Sequence, residues 1–301
     1  MAAMATAQLT STAVGLRNVL IATDLSRGSI DILRFGVELS RAHGVPAFIV
    51  HVVPRDEYLL AGPEAYTAAS EAARREVLEL KQQLLSRYSY EEGDDYQMLL
   101  AEGDVAETVL DCARQKKIDV IVLSTHGRSG ISKALLGSVA ERVFRHSPIP
   151  VLTLGPQVRH RTAFSPRNIL VPVDFTAASQ ASVRYACAVA REYNAELSLL
   201  HVVSCPPGEA MADIECLKRG VERRLLDLVQ GEIDERKVRA RAEIGKVVPV
   251  ILNSVVESDA DLMVLGVHAL TGLLDRLRWQ VAYDLVRQAS CPVLTVREKV
   301  R

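Results

Sequence analysis

The segment 124–138, which reads STHGRSGISKALLGS, carries residue types that bind an oxygen-rich anion. Free amide groups and the dipole at a helix N-terminus attract negative charge, and an arginine adds a positive charge. A glycine lets the backbone approach a phosphate, because a Cβ atom would hold it away from the amides. The candidates for this phosphate site are Ser124, Gly127, Arg128, Gly130, Gly137 and Ser138. The glycines would also serve as plain turn residues, and Ser138 as a plain N-cap.

Two more candidate positions follow apolar strands. Thr23 and Asp24 end a predicted strand at 19–23, and Val52 lies near the end of another at 47–53. Ligands of open parallel sheets collect at the carboxyl ends of strands, near the point where strand order reverses. The Asp24 carboxylate suits ribose hydroxyls or a magnesium ion, and it would otherwise cap the next helix.

The sequence contains an internal repeat. NVLIATD at 18–24 recurs as NILVPVD at 168–174, an offset of 150, and His51-Val52 recurs as His201-Val202. Further on, Asp119-Val120 and Asp261-Leu262 pair at an offset of 142. The first copy is therefore longer between residues 51 and 103.

The second copy keeps Gly266 and Gly272 but has lost the other phosphate-binding residue types. Ala269 stands opposite Gly127, Leu270 opposite Arg128, and Trp279-Gln280 opposite Gly137-Ser138. A tryptophan at a helix start would block a phosphate sterically. We therefore expect the nucleotide in the first copy, while the second serves mainly as a pairing partner.

Alternating strands and helices place these residues. The first copy predicts strands at 19–23, 47–53, 96–100, 118–124 and 151–154, with helices at 26–44, 64–88, 105–114 and 138–145. The second predicts strands at 169–173, 197–203, 238–242, 262–266 and 293–296, with helices at 177–193, 209–230, 247–258 and 281–289. This alternation is typical of a parallel sheet with right-handed crossovers.

The predicted organisation has four parts. Residues 1–16 form a flexible tail, 17–155 a nucleotide-binding domain, 156–166 a polar linker, and 167–301 a degenerate second domain. The final strand of each copy is apolar and would leave an exposed sheet edge, which proteins usually cover or pair. We therefore expect strands 151–154 and 293–296 to join the copies as a pseudo-twofold pair.

These motifs resemble the universal stress protein family, whose nucleotide-binding members carry G-x2-G-x9-G-[ST] after the fourth strand. Here Ser124 replaces the first glycine, and Gly127 and Gly137-Ser138 match the others. The resemblance implies two tandem α/β open-sheet, Rossmann-like domains of the adenine nucleotide alpha hydrolase type, each with five parallel-type strands and helices on both faces. It implies that Asp24 and the Val52 backbone hold the adenosine of ATP, with or without Mg²⁺, and that Gly127, Gly137, Ser138 and Val139 hold the phosphates.

Composition narrows the partners and the compartment. A net charge of -1 argues against a large electrostatic footprint on nucleic acid or anionic lipid. No apolar stretch reaches the roughly 20 residues needed to span a bilayer. Five cysteines without a CxxC pair suggest reduced thiols and a cytoplasmic location.

Three functions remain open from the sequence. The first is an ATP-binding stress or signalling module, whose protein partner is unknown. The second is a slow ATPase or another nucleotide-dependent enzyme, although the chain lacks a G-x4-G-K-[ST] loop and a nucleophile elbow. The third is a nucleotide-free interaction scaffold. A Rossmann dehydrogenase is disfavoured because no G-x-G-x-x-G follows the first strand.

Overall fold

The structure of the chain is a computed structural model, which describes residues 15–26, 29–55, 62–125, 137–158, 164–203, 211–268 and 273–298. The elements of the first repeat are β1 (Val19–Ala22), α1 (Ile30–His43), β2 (Ala47–Pro54), α2 (Pro63–Tyr88), β3 (Tyr96–Gly103), α3 (Val105–Gln115), β4 (Val120–Ser124), α4 (Ser138–His146) and β5 (Val151–Leu154). Those of the second are β6 (Asn168–Pro172), α5 (Ala177–Tyr193), β7 (Glu196–Val203), α6 (Met211–Asp227), β8 (Val238–Ile244), α7 (Val247–Glu257), β9 (Leu262–Val267), α8 (Leu273–Gln288) and β10 (Val293–Arg297).

The predicted fold class is confirmed. Within each repeat the five strands are parallel, in the order 3-2-1-4-5 counted along that repeat. The ten strands form one sheet, ordered β3-β2-β1-β4-β5-β10-β9-β6-β7-β8. The extra length of the first repeat lies largely in α2, which has 26 residues, whereas α6 has 17.

The central strands of the sheet are buried on both faces, which explains why they read as continuous apolar runs, whereas the edge strands β3 and β8 are partly exposed. Along β1, Leu20 faces one core and Ile21 faces the other, because successive side chains alternate. One core contains residues of α1, α2, α5 and α6, and the other contains residues of α3, α4, α7 and α8. Each core includes residues of both repeats, so burial continues across their junction.

The predicted pairing of the two final strands is confirmed. β5 and β10 pair antiparallel, with Leu152 opposite Leu294. Two buried threonines reinforce the pairing: the Thr153 hydroxyl donates to the Val293 carbonyl at 3.1 Å, and the Thr295 hydroxyl donates to the Val151 carbonyl at 3.2 Å. The exchange is reciprocal, as a pseudo-twofold relation requires.

Side chains of helices from the two repeats also contact each other across the junction. His43, the last residue of α1, places its Nε2 at 2.6 Å from the hydroxyl of Tyr193, the last residue of α5. These two residues are equivalents in the repeat. Phe164 packs edge-on against both Phe35 and Tyr193, so residues near the linker cover the same contact. The two repeats therefore form one packed unit.

Candidate functional site

A cavity of about 560 Å³ opens at the carboxyl ends of β1, β2 and β4. It lies where the chain leaves β1 toward β2 on one side and returns to β4 on the other, so the connecting loops diverge. Seven of the ten predicted site residues line it, namely Thr23, Asp24, Val52, Ser124, Gly137, Ser138 and Val139. The other three, Gly127, Arg128 and Gly130, lie outside the described residues.

The turn after β1 positions Asp24. The Thr23 hydroxyl donates to the Ser29 hydroxyl at 2.9 Å and accepts from the Leu25 amide at 3.0 Å. Asp24 Oδ1 accepts from the Ser26 amide at 3.0 Å. Leu25 has φ 61°, a left-handed conformation that is uncommon for leucine and that these hydrogen bonds stabilise. The turn is thus fixed by its own side chains, with Thr23 and Asp24 held at the cavity.

The end of β2 is fixed to the end of β1. The Thr23 amide donates to the Val50 carbonyl at 3.0 Å, and His51 Nδ1 lies 2.9 Å from the Thr23 carbonyl oxygen. Because that oxygen only accepts, Nδ1 carries the hydrogen. Every second residue of a strand directs its backbone to the same neighbour, so Val52 points its amide and carbonyl toward β1, beyond the residue where β1 ends. This edge of Val52 is where a planar base could be hydrogen-bonded.

The start of α4 forms the other end of the cavity. The Gly137 amide donates to the Thr125 carbonyl at 2.7 Å, and the Gly137 carbonyl accepts from the Glu141 amide at 2.9 Å. A Cβ on Gly137 would lie 3.3 Å from the Thr125 oxygen, a tight contact. Glycine therefore lets the helix start close to β4, while its own amide is already bonded. The amides of Ser138 and Val139 have no partner inside the helix and are the donors at its N-terminus.

Helix α2 supplies a wall that the sequence reasoning missed. Ala69, Ala72, Ala73 and Glu76 all line the cavity. Their spacing places them on one face of the helix, and the three alanines leave room beside the strand ends. The recurrence of alanine at intervals of three and four was a signal that could have identified this face.

Arg142 of α4 is not among the residues that line the cavity. It pairs with Asp104, whose carboxylate also accepts from the Glu107 amide at 2.9 Å and so caps α3. The hydrogen bond from Arg142, with the bond from the Glu107 amide, lowers the pKa of Asp104. The pair joins the start of α3 to α4.

The second repeat has a smaller cavity, of about 290 Å³, at the ends of β6, β7 and β9. Its strand ends repeat the geometry of the first. The Val173 amide donates to the Leu200 carbonyl at 2.8 Å, and His201 Nδ1 lies 2.6 Å from the Val173 carbonyl oxygen. Phe175, like Leu25 in the first repeat, is left-handed, with φ 62°. Val202 lines this cavity as Val52 lines the larger one.

The helix after the fourth strand differs. We predicted that this helix begins at residue 281, with Trp279 at its start. Both predictions are wrong, because α8 begins at Leu273. Trp279 thus lies inside the helix, where its amide belongs to the helical hydrogen-bond ladder. Its ring stacks on Phe144 of α4 at 4.2 Å between centroids, across the junction of the repeats.

An ion pair occupies the position beside Trp279. Arg278 Nε lies 3.5 Å from Asp174 Oδ2, and both residues line the second cavity. Burial opposes ionisation of Asp174, but hydrogen bonds from Thr176 and Ser179, together with the charge of the nearby His268, outweigh it and lower the pKa of the carboxyl. Asp174 is therefore ionised, and residues of the same repeat stabilise its carboxylate.

The fold and its cavities define a tandem, doubly wound α/β protein with a ligand-type crevice at the switch point of each repeat. The universal stress protein family profile matches residues 15–154 and 166–297, so the chain belongs to the universal stress protein family.

Relatives of one and two repeats are similar to it. A universal stress protein of Mycolicibacterium smegmatis is 24% identical over 93% of this chain and 97% of its own length. The universal stress protein MJ0531 of Methanocaldococcus jannaschii is 27% identical over 46% of this chain and 81% of its own length. The crystal structure of a universal stress protein from Archaeoglobus fulgidus has 22% identity and a TM-score of 0.71, and covers 97% of this chain and 98% of that one. This last likeness supports the tandem fold.

The described helices and cysteines bear on membranes and disulfides. Within the described ranges, no helix is long and apolar enough to cross a membrane. Cys112, Cys187, Cys216 and Cys291 carry free thiols, and Cys205 lies outside the described residues.

Proposed function

We propose that this universal stress protein binds ATP in the first repeat and acts as a stress-response or signalling module. The observation that carries the proposal is one cavity that joins the Val52 edge of β2 to the start of α4. A base and a phosphate chain need those two surfaces at opposite ends of one site. The cavity volume falls within the roughly 300–1,000 Å³ of small-molecule sites.

The residues present fit an adenine nucleotide. The Val52 backbone would bind the base, Asp24 would face the ribose, and the amides of Ser138 and Val139 would bind phosphate oxygens. Hydrogen bonds to a charged group contribute about 1.5–3 kcal/mol each, and the helix dipole adds about 0.3–2 kcal/mol. Mg²⁺, when bound with the nucleotide, would neutralise part of the phosphate charge. Gly127, Arg128 and Gly130 keep the phosphate-binding role that the sequence predicts.

Calorimetry with MgATP on the full chain tests the proposal. We expect about one site per chain, and a rise in unfolding free energy of about 2.7 kcal/mol when ATP is at 100 times its Kd. Mass spectrometry of the nucleotide released from natively purified protein would identify the ligand independently. No binding, or two equivalent sites, would contradict the assignment.

A matched pair of variants locates the site. Val139 and Val281 are equivalent, half-buried residues that line the first and second cavities respectively. Val139→Phe fills the first cavity and should weaken ATP binding at least tenfold, whereas Val281→Phe should leave it unchanged. The reverse pattern would place ATP in the second repeat.

A further inference from the structure

The second cavity is lined mainly by apolar side chains. The apolar residues that line it are Pro172, Val173, Leu200, Val202, Val247, Ile251, Leu265, Val267, Trp279, Val281, Ala282 and Leu285. The polar side chains that line it are those of Asp174, Ser179, His201, His268 and Arg278. Its volume of about 290 Å³ lies at the lower limit for small-molecule sites. The cavity suits a compact ligand with few charges.

The strand ends of this repeat retain the base-binding geometry. The bonds that tie β6 to β7 match those that tie β1 to β2, in partners and in length to within 0.3 Å. Val202 consequently directs its backbone amide and carbonyl into the cavity, as Val52 does in the first repeat. A hydrogen-bonding edge for a planar heterocycle is therefore present in both cavities.

The phosphate end is replaced. Helix α8 passes through the position where α4 begins, so the amides at Trp279 and Gln280 bond to carbonyls one turn earlier. The Asp174 carboxylate faces the same end, and the only guanidinium described there, that of Arg278, is paired with it. A phosphate would meet a like charge and no helix N-terminus. The change removes phosphate recognition and leaves the base-recognising half.

We propose that the second repeat binds a neutral, phosphate-free purine nucleoside or base. The proposal rests on the proposed function in one respect: it gives the Val202 backbone the role proposed for Val52. The tandem chain then carries two sites of different specificity, one for the nucleoside triphosphate and one for the nucleoside.

Adenosine is the probe, and Trp279 is the reporter. Trp279 is the single tryptophan of the chain and lines the second cavity. The full chain is first saturated with MgATP to occupy the first repeat, and adenosine is then titrated by calorimetry and by tryptophan fluorescence. We expect about one adenosine per chain with a change in Trp279 emission, and at least tenfold weaker binding of AMP. No adenosine binding, or equal affinity for AMP, would overturn the proposal.

Variants separate this site from the first. Val281→Phe should weaken adenosine binding at least tenfold while ATP still binds; if that variant does not fold, Ala282→Leu, which adds volume to the same wall, replaces it. Val139→Phe, studied without ATP, should retain the adenosine site. This last measurement tests the second site even if ATP does not bind the first. Adenosine binding that survives Val281→Phe but disappears in Val139→Phe would assign adenosine to the first cavity alone and sink the proposal.

Discussion

The two cavities share their strand ends and differ at the helix that follows the fourth strand. α4 begins at Ser138, whose equivalent in the second repeat is Gln280. α8 begins seven residues before that equivalent position, at Leu273. The cavity volume is about 560 Å³ in the first repeat and about 290 Å³ in the second. A helix start at the cavity can thus be replaced by a helix that begins earlier, while the sheet beside it keeps its register.

The same change gives the second repeat a structural role. Gly137 lies against Thr125, the residue after β4, where a Cβ would make a tight contact, whereas its equivalent, Trp279, stacks on Phe144 of the opposite repeat. The Arg145 guanidinium lies 5.4 Å from the Trp279 ring centroid. The position lines the cavity in both repeats, and in the second repeat its side chain also packs at the junction.

The junction side of this comparison predicts the largest effect. Trp279→Ala removes a ring that is only 9% exposed and that stacks across the repeats. We expect a loss of about 3–5 kcal/mol in the free energy of unfolding, which is typical of a buried aromatic residue truncated to alanine. Urea denaturation measures it. Leu277→Ala is the control, because Leu277 is on the same helix but 62% exposed, and it should cost less than about 0.5 kcal/mol. Equal costs for the two variants would show that Trp279 does not hold the junction.

At the first cavity, the comparison predicts that a substitution weakens ATP binding and lowers the free energy of unfolding by less than Trp279→Ala does. Gly137→Trp copies the second repeat into the first, and should weaken ATP binding by at least 100-fold because the ring occupies the phosphate end. Overpacking against Thr125 should cost about 1–3 kcal/mol in unfolding free energy. Gly137→Ala, whose Cβ would make only one tight contact, should lie between the variant and the parent. Calorimetry and thermal melts measure both; normal ATP affinity in Gly137→Trp would remove Gly137 from the site.

The sequence predicted the fold better than it predicted the helix starts. The apolar runs before Asp24 and Asp174, with their repeated spacing, were sufficient to predict the parallel sheet and a site at the strand ends, but they did not predict the strand order. The early start of α8 was missed because residues 269–280 were interpreted by their alignment with the loop of the first repeat. Their own pattern, with leucines at 273, 274 and 277, favours a helix. In this segment the helical preference of its own residues determined the structure, and the alignment with the first repeat did not.

Features of the site that depend on tertiary contacts could not be predicted. The bond from the Gly137 amide to Thr125 depends on where the chain returns to β4 after residue 136. The wall formed by α2 depends on how that helix lies over β2, which periodicity alone leaves undetermined. Sequence patterns identified which residues meet at the strand ends, and packing decided which of their atoms face the cavity.

Equivalent helix caps give the smallest predicted effect. Asp104 caps α3 and pairs with Arg142, whereas the equivalent residues of the second repeat are Lys246 and Asp284, which reverse both charges. Lys246 makes no side-chain cap to α7. Asp104→Ala should therefore cost about 1 kcal/mol in unfolding free energy at neutral pH, the usual value for a lost N-cap. Lys246→Ala, the matched control, should change it by less than about 0.5 kcal/mol.

The pH dependence of that difference identifies its cause. Because the pKa of Asp104 is lowered in the folded chain, its stabilising contribution is complete above the unfolded-state pKa of about 3.9 and is lost as pH falls through the folded-state value. The gap in unfolding free energy between the parent and Asp104→Ala should therefore narrow below about pH 4 and stay constant above it. Urea denaturation at pH 7, 4 and 3 measures the gap. A gap that persists unchanged at pH 3 would mean that the ionised carboxylate does not stabilise α3, and that the first repeat gains nothing from its cap over the second.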